Sequence, residues 1–98
     1  MSMPVVFRHG ARNEFDAAAD WYEQRRPGRG AKFTAAVQTV LDRIAEQPDF
    51  YPQVFEDVRE ALVKKYPYCV YYRVESNQVV ILAVFHTARD PSTWQRRV

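Results

Sequence analysis

The sequence predicts a single α+β domain in the order β-α-α-β-β-β, a helical hairpin packed on a small, bent, mainly antiparallel sheet with a short basic tail. Three observations carry this expectation. Apolar residues between Phe15 and Ile44 recur at helical spacing, those between Val58 and Phe85 follow the two-residue period of strands, and Pro/Gly clusters punctuate the chain. A length of 98 residues, 47% of them hydrophobic and 27% charged, admits one core spanning residues 1–98 and no second domain. A chain this short buries only roughly 65% of its unfolded surface, so a partner chain would add to its stability.

Each element has a local reason. Val5 and Phe7, flanked by polar residues, read as a first strand closed by a turn at His9-Gly10. Phe15, Ala18, Ala19 and Tyr22 then fall at i, i+3, i+4 and i+7, with Asn13 as N-cap and Glu14 and Asp16 in the first turn. Arg25 and Arg26 suit the C-terminal end of that helix, and Pro27-Gly28-Arg29-Gly30 reverses the chain. Phe33, Val37, Val40, Leu41 and Ile44 carry a second helix until Pro48 removes a backbone donor. Val58–Val63 is the second strand, interrupted by Tyr66-Pro67. Tyr68–Glu75 is the third, and Ser76-Asn77-Gln78 is the turn into the fourth. Val79–Phe85 is apolar at every position, which marks the most covered strand of the sheet, with the helices on one side. A helical turn opened by Asp90-Pro91 is expected in the tail.

Several function classes are excluded or disfavoured. The longest apolar run, Val79–Phe85, falls far short of the roughly 20 residues a membrane helix needs, and the N-terminus lacks a signal-like apolar stretch. The single cysteine, Cys69, rules out an internal disulfide and fits a reducing compartment, so the cytoplasm is the expected location. Walker, Rossmann, zinc-spacing and serine-elbow motifs are missing, and neither a cofactor nor a metal is expected. Net charge is only +2, but its distribution is uneven. Residues 42–57 are acidic, 58–98 are basic, and eleven of the fourteen cations are arginine.

Strand alternation in Tyr68–Glu75 puts Tyr68, Val70, Tyr72 and Val74 on one face and Cys69, Tyr71, Arg73 and Glu75 on the other. With Arg59 on the neighbouring strand and His86 ending the next, a basic and aromatic surface could take a nucleic-acid strand. Metal-independent RNA cleavage needs a base, an acid and a cation over the phosphate, and His86, Arg59 and Arg73 are the candidates of the right type. The blander expectation pairs Arg73 and Glu75 with neighbours on a solvated face and makes His86 a packing residue. Cys69 reads as a small buried hydrophobe. Trp21 and Trp94 read as packing residues, although Trp94 in a basic tail could also cover a partner groove.

The chain resembles the RelE/ParE toxin superfamily of bacterial toxin–antitoxin modules over nearly its whole length. The resemblance rests on Ala17-Ala18-Ala19-Asp20-Trp21-Tyr22-Glu23 with Pro27-Gly28-Arg29-Gly30 and Phe33, and on Pro48 with Tyr51-Pro52. It continues through Val58-Arg59, Tyr66-Pro67-Tyr68-Cys69-Val70-Tyr71-Tyr72-Arg73-Val74 and Ile81–His86 to Ala88-Arg89-Asp90-Pro91 and Trp94. It implies a toxin neutralised by a cognate antitoxin, in a toxin–antitoxin hetero-oligomer, with one of two targets. ParE-like members poison DNA gyrase; RelE-like members cleave mRNA on the ribosome. Where RelE-like nucleases carry a third-strand arginine this chain has Cys69, and where they carry a C-terminal tyrosine Trp94 roughly falls. The ParE-like branch is therefore favoured, with no catalysis of its own. The expected target-binding residues are Arg89, Trp94, Arg96 and Arg97 of the tail, and the expected antitoxin-binding residues are Trp21, Tyr22 and Phe33. The nuclease alternative would use His86, Arg59 and Arg73.

Overall fold

Val5–Phe7 forms strand β1 and pairs in parallel with the start of the last strand, Val5 opposite Val79 and Phe7 opposite Ile81. The structure, a computed structural model, describes residues 2–98. Helix α1 runs His9–Arg25 and helix α2 Arg29–Glu46. The sheet continues with β2 (Gln53–Phe55), β3 (Val58–Leu62), β4 (Tyr68–Glu75) and β5 (Gln78–His86), and one short helix, α3 (Ser92–Gln95), closes the chain. Strand order is β1-β5-β4-β3-β2, with every pair but β1–β5 antiparallel.

The expected α+β architecture is what forms, with local differences. His9-Gly10 is not a turn: α1 begins there, capped by the extended backbone of Arg8, so Asn13 lies inside the helix and Glu14 in its second turn. The pair β2–β3 adds a fifth strand through a tight turn at Glu56-Asp57, where Glu56 takes φ 52°. At Ser76-Asn77 both residues have positive φ, 51° and 63°, the twist that a two-residue hairpin requires.

The core has two halves. Helices α1 and α2 bury Phe15, Ala18, Phe33, Val37, Leu41 and Ile44 against Val70, Tyr72, Val79, Ile81 and Val84 on one sheet face. The other face is closed by the tail. Trp94 stacks on Tyr71 at 4.1 Å and joins Cys69, Leu82 and Phe85 in a second buried cluster. Strand β5 is therefore covered on both faces, by the helices and by α3. Alternation serves both faces, and the register slips once: Tyr71 pairs with Ala83 but Tyr72 with Ile81, leaving Leu82 as an extra residue. Leu82 and Ala83 consequently share one face, and Val84 and His86 return to the helix side.

Candidate functional site

The sheet edge beside β1 is only half covered. β1 and Arg8, whose N–H donates to the Ile81 carbonyl, accompany β5 as far as Ile81; beyond the bulge no strand follows on that side. Side chains take over two of the freed backbone groups. The Glu14 carboxylate accepts from the Val84 N–H at 3.1 Å, and the Arg97 guanidinium donates to the Leu82 carbonyl at 3.0 Å. The two side chains are bound to each other at 2.6 and 3.1 Å, and this hydrogen bonding holds Arg97 protonated still more firmly than usual. A tail residue, a helix residue and the bulge are thereby fastened together.

Past that clasp, α1 and the end of β5 enclose an open cleft of about 510 Å³. Helix α1 lines it with Glu14, Ala17, Ala18, Trp21 and Tyr22, the i, i+3, i+4, i+7, i+8 stripe of one helix face. Tyr68, Val84, His86 and Arg89 form the opposing wall. The cleft therefore unites four residues that the sequence placed in three different roles: His86, Arg89, Trp21 and Tyr22. Glu14 and Tyr68 join them unannounced. Neither carried a readable signal: the hairpin turn alone would set Tyr68 opposite Phe85, and only the bulge at Leu82 brings it opposite His86, while the partners of Glu14 come from elements distant in sequence.

His86 accepts the Ala88 N–H on Nδ1 at 3.0 Å, so the neutral ring carries its proton on Nε2, which has no partner among the described residues. Its ring meets Tyr68 edge-on at 5.2 Å. Burial raises the Tyr68 and Tyr22 phenols above their usual 10.0, with Tyr68 and Tyr66 adding to the effect at Tyr22 and Arg89 opposing it at Tyr68. Both phenols stay protonated near neutral pH and act as hydrogen-bond donors, not bases. Arg89 lies over the Phe85 ring at 4.1 Å with about half of its side chain exposed, and its contact with Glu14 is long, 3.5 Å. Trp21 is 49% exposed, held edge-on by Tyr22 and covered on one face by Arg25.

The remaining expected site residues lie elsewhere. Phe33 is fully buried between Tyr22, Tyr66 and Tyr68, so it supports the cleft from beneath and offers a partner no surface. Trp94 is 2% exposed and belongs to the core. Of the tail cations, Arg97 is engaged in the clasp and Arg96 is exposed without an ion pair among the described residues. Arg59 faces the helix side opposite Tyr72 and donates to the carbonyls of Asp49 and Tyr51. Arg73 points through the other face and grips Asp57, lowering that carboxyl's pKa. His86, Arg59 and Arg73 therefore do not converge. A sequence places each on a strand but cannot say which carboxylate or carbonyl waits across the sheet.

The cleft thus offers an exposed indole, two donor phenols, one free imidazole nitrogen and one half-free guanidinium beside an incomplete sheet edge. That composition suits the capture of a polypeptide segment: apolar pockets, aromatic anchors and unfilled backbone positions.

Comparison with known proteins bears on what that segment serves. No curated protein matches the sequence. A solved structure, the chromosomal ParDE TA system from P. aeruginosa, is similar with a TM-score of 0.64 over 87% of this chain and 96% of that one. Its sequence identity is 20%, so the likeness concerns the fold. The family model of the ParE toxin of type II toxin-antitoxin system, parDE, matches residues 5–91. With α1, α2 and all five strands inside that match, the chain belongs to the ParE toxin family of type II toxin–antitoxin systems.

Proposed function

We propose that the protein arrests growth by binding DNA gyrase and is neutralised by a cognate antitoxin whose extended segment occupies the cleft between α1 and β5. The observation that carries the binding mode is the dispersal of the phosphate-directed groups: Arg59 and Arg73 are held by other partners on opposite faces of the sheet. Stabilising a cleaving phosphate requires cations aimed at one point, and here they are apart. The open β5 edge and the exposed Trp21 fit an antitoxin strand that folds on binding. Arg89 and Arg96 remain as tail-side cations able to meet an acidic or DNA-associated surface of gyrase.

A supercoiling assay with purified gyrase tests this reading. Wild type should inhibit, and the double reversal Arg89→Glu/Arg96→Glu should raise the half-inhibiting concentration about tenfold, equivalent to ~1.4 kcal/mol of binding. Removing the whole tail would be uninformative, because it strips Trp94 from the core. Co-purification with the product of an adjacent small gene, and a rise in melting temperature on mixing, tests the antitoxin.

One observation favours a second reading, ribosome-dependent mRNA cleavage: the free Nε2 of His86 shares the cleft with Tyr68 and Arg89. In that case His86→Ala should slow message cleavage by about 10²- to 10⁴-fold, whereas a gyrase poison should keep its potency.

A further inference from the structure

Six cations make every ion pair in the described structure: Arg8, Arg12, Arg59, Arg73, Arg89 and Arg97. Of the eight others, all but Arg25 and Arg96 gather on one side. Arg26, Arg29 and Lys32 line one open pocket of about 490 Å³ at the α1–α2 turn. Arg43, Lys64 and Lys65 line a second, of about 320 Å³, between α2 and the β3–β4 turn. Tyr66 belongs to both pockets and joins them into one band; Tyr22 and Tyr51 stand at its two ends.

Two features of the fold build this band. Positions 29, 32, 36, 39 and 43 form one stripe of α2, which at 1.5 Å per residue runs about 21 Å from Arg29 to Arg43. The carboxylate of Glu23, next to this stripe, is turned onto the backbone N–H groups of Gly28 and Gly30. The lysine pair sits at the tip of the β3–β4 hairpin, where Tyr66 N–H closes on the Val63 carbonyl and Lys65 takes φ 71°. A turn position of that kind favours Gly or Asn, so lysine there is held in strained backbone and carries its charge to the rim of the band.

We infer that this band, on the helix side and away from the tail cations, binds the phosphate backbone of a single-stranded nucleic acid, with bases stacking on its tyrosines. Two features distinguish that occupant from an acidic protein segment. The cations are spread along a track instead of clustered around one apolar anchor, and aromatic rings interrupt them at the middle and both ends. Tyr66 is braced edge-on by Tyr22 and Phe33, so its ring is fixed in place before any base arrives. The expectation that nucleic acid would lie along Arg59, Arg73 and His86 is replaced by a surface whose cations are unoccupied.

Fluorescence anisotropy of a labelled twelve-nucleotide oligo(dT) with the isolated full chain tests the inference without gyrase, ribosome or antitoxin, so its outcome is separate from that of the proposed target. Binding should weaken with salt, with a slope of log K against log salt near −0.7 per phosphate contact, about −3.5 to −4 for five or six contacts. The exposed double reversal Lys64→Glu/Lys65→Glu should weaken binding at least tenfold and leave the melting temperature unchanged; Arg29→Glu should weaken it by a smaller factor. An abasic strand of the same length should bind more weakly than oligo(dT). Three results would overturn the inference: no binding at low salt, binding indifferent to these reversals but lost in Arg96→Glu, or a glutamate decapeptide binding as tightly as the oligonucleotide. The last would assign the band to an acidic protein segment.

Discussion

Glu14 illustrates how far a single side chain depends on the finished fold. Its sequence position suggests a helix start, where a carboxylate would meet the positive end of the dipole. In the structure it instead accepts the Val84 N–H and both Arg97 nitrogens, with 14% of its side chain exposed. Glu14→Ala leaves a part-buried N–H and a guanidinium without an acceptor, so urea unfolding should show a loss of about 1–3 kcal/mol. Arg89→Ala, removing a long and half-exposed contact to the same carboxylate, should cost under about 0.5 kcal/mol. Cys69 was legible, since a lone cysteine among large apolar strand neighbours reads as buried, and it is 5% exposed. Burial raises its thiol from 9.0 to about 11 and, with Tyr51 assisting and Arg59 opposing, the Tyr72 phenol from 10.0 to about 12. The unfolded chain loses these protons first. Stability should therefore be intact below pH 9 and fall from pH 9 to 11 through Cys69 and from pH 10 to 12 through Tyr72, by up to ~1.4 kcal/mol per pH unit per group. Denaturant midpoints measured across that range check the sign, and Cys69→Ala should flatten the decline.

At the level of elements, periodicity announced both helices because each buries one regular stripe, and the three longer strands because their apolar and β-branched residues run through them, in β5 on both faces. It missed what breaks the period. The bulge at Leu82 lies inside Val79–Phe85, where every residue is apolar, so a one-residue phase slip leaves no mark in the sequence. The three-residue β2 is too short to show alternation, and its first two residues are exposed. The start of α1 was concealed by Gly10, which reads as a turn residue. The α1–α2 contact holds a further surprise: Gly30 is not part of the breaker but is buried inside α2. A Cβ built there would lie 2.7 Å from the Ala19 carbonyl oxygen and 2.9 Å from Glu23 Cβ. Gly30→Ala gains about 1 kcal/mol of helix propensity, yet must push two helices apart. Because the nearest atom is backbone, the clash prevails, and thermal unfolding should show a net loss of about 1–3 kcal/mol. A gain in melting temperature would mean that the helices slide apart at little cost.

Across the whole molecule, the two tryptophans divide the labour between holding the fold and meeting a partner, and which does which could not be read from their flanks. Trp94, in a basic tail, looked available to a target; Trp21, on an apolar helix stripe, looked like packing with some reach to an antitoxin. The structure resolves this through layers. The helices cover one sheet face and leave the other to be closed by four residues of helix and its flanks, so Trp94 is drawn onto Tyr71, Phe55 and the β4–β5 surface. Its indole N–H is buried without an acceptor, a penalty of about 1–3 kcal/mol that the stacked rings outweigh. The helix stripe, by contrast, outruns β1, and Trp21 projects over the uncovered edge of β5. These placements predict opposite outcomes for two chemically identical substitutions. Trp94→Ala should cost about 3–5 kcal/mol, a large share of the stability of so small a domain, and would abolish toxicity by unfolding the chain. Trp21→Ala should leave the chain folded, with a cost of about 1 kcal/mol and a melting temperature lower by about 4–8 °C, since half of its side chain is already exposed. If the cleft is the antitoxin's seat, the same Trp21→Ala chain should bind antitoxin at least tenfold more weakly, as expected on losing an aromatic anchor. Calorimetric titration of the folded variant reads that loss directly, and an unchanged affinity would move the antitoxin to another face.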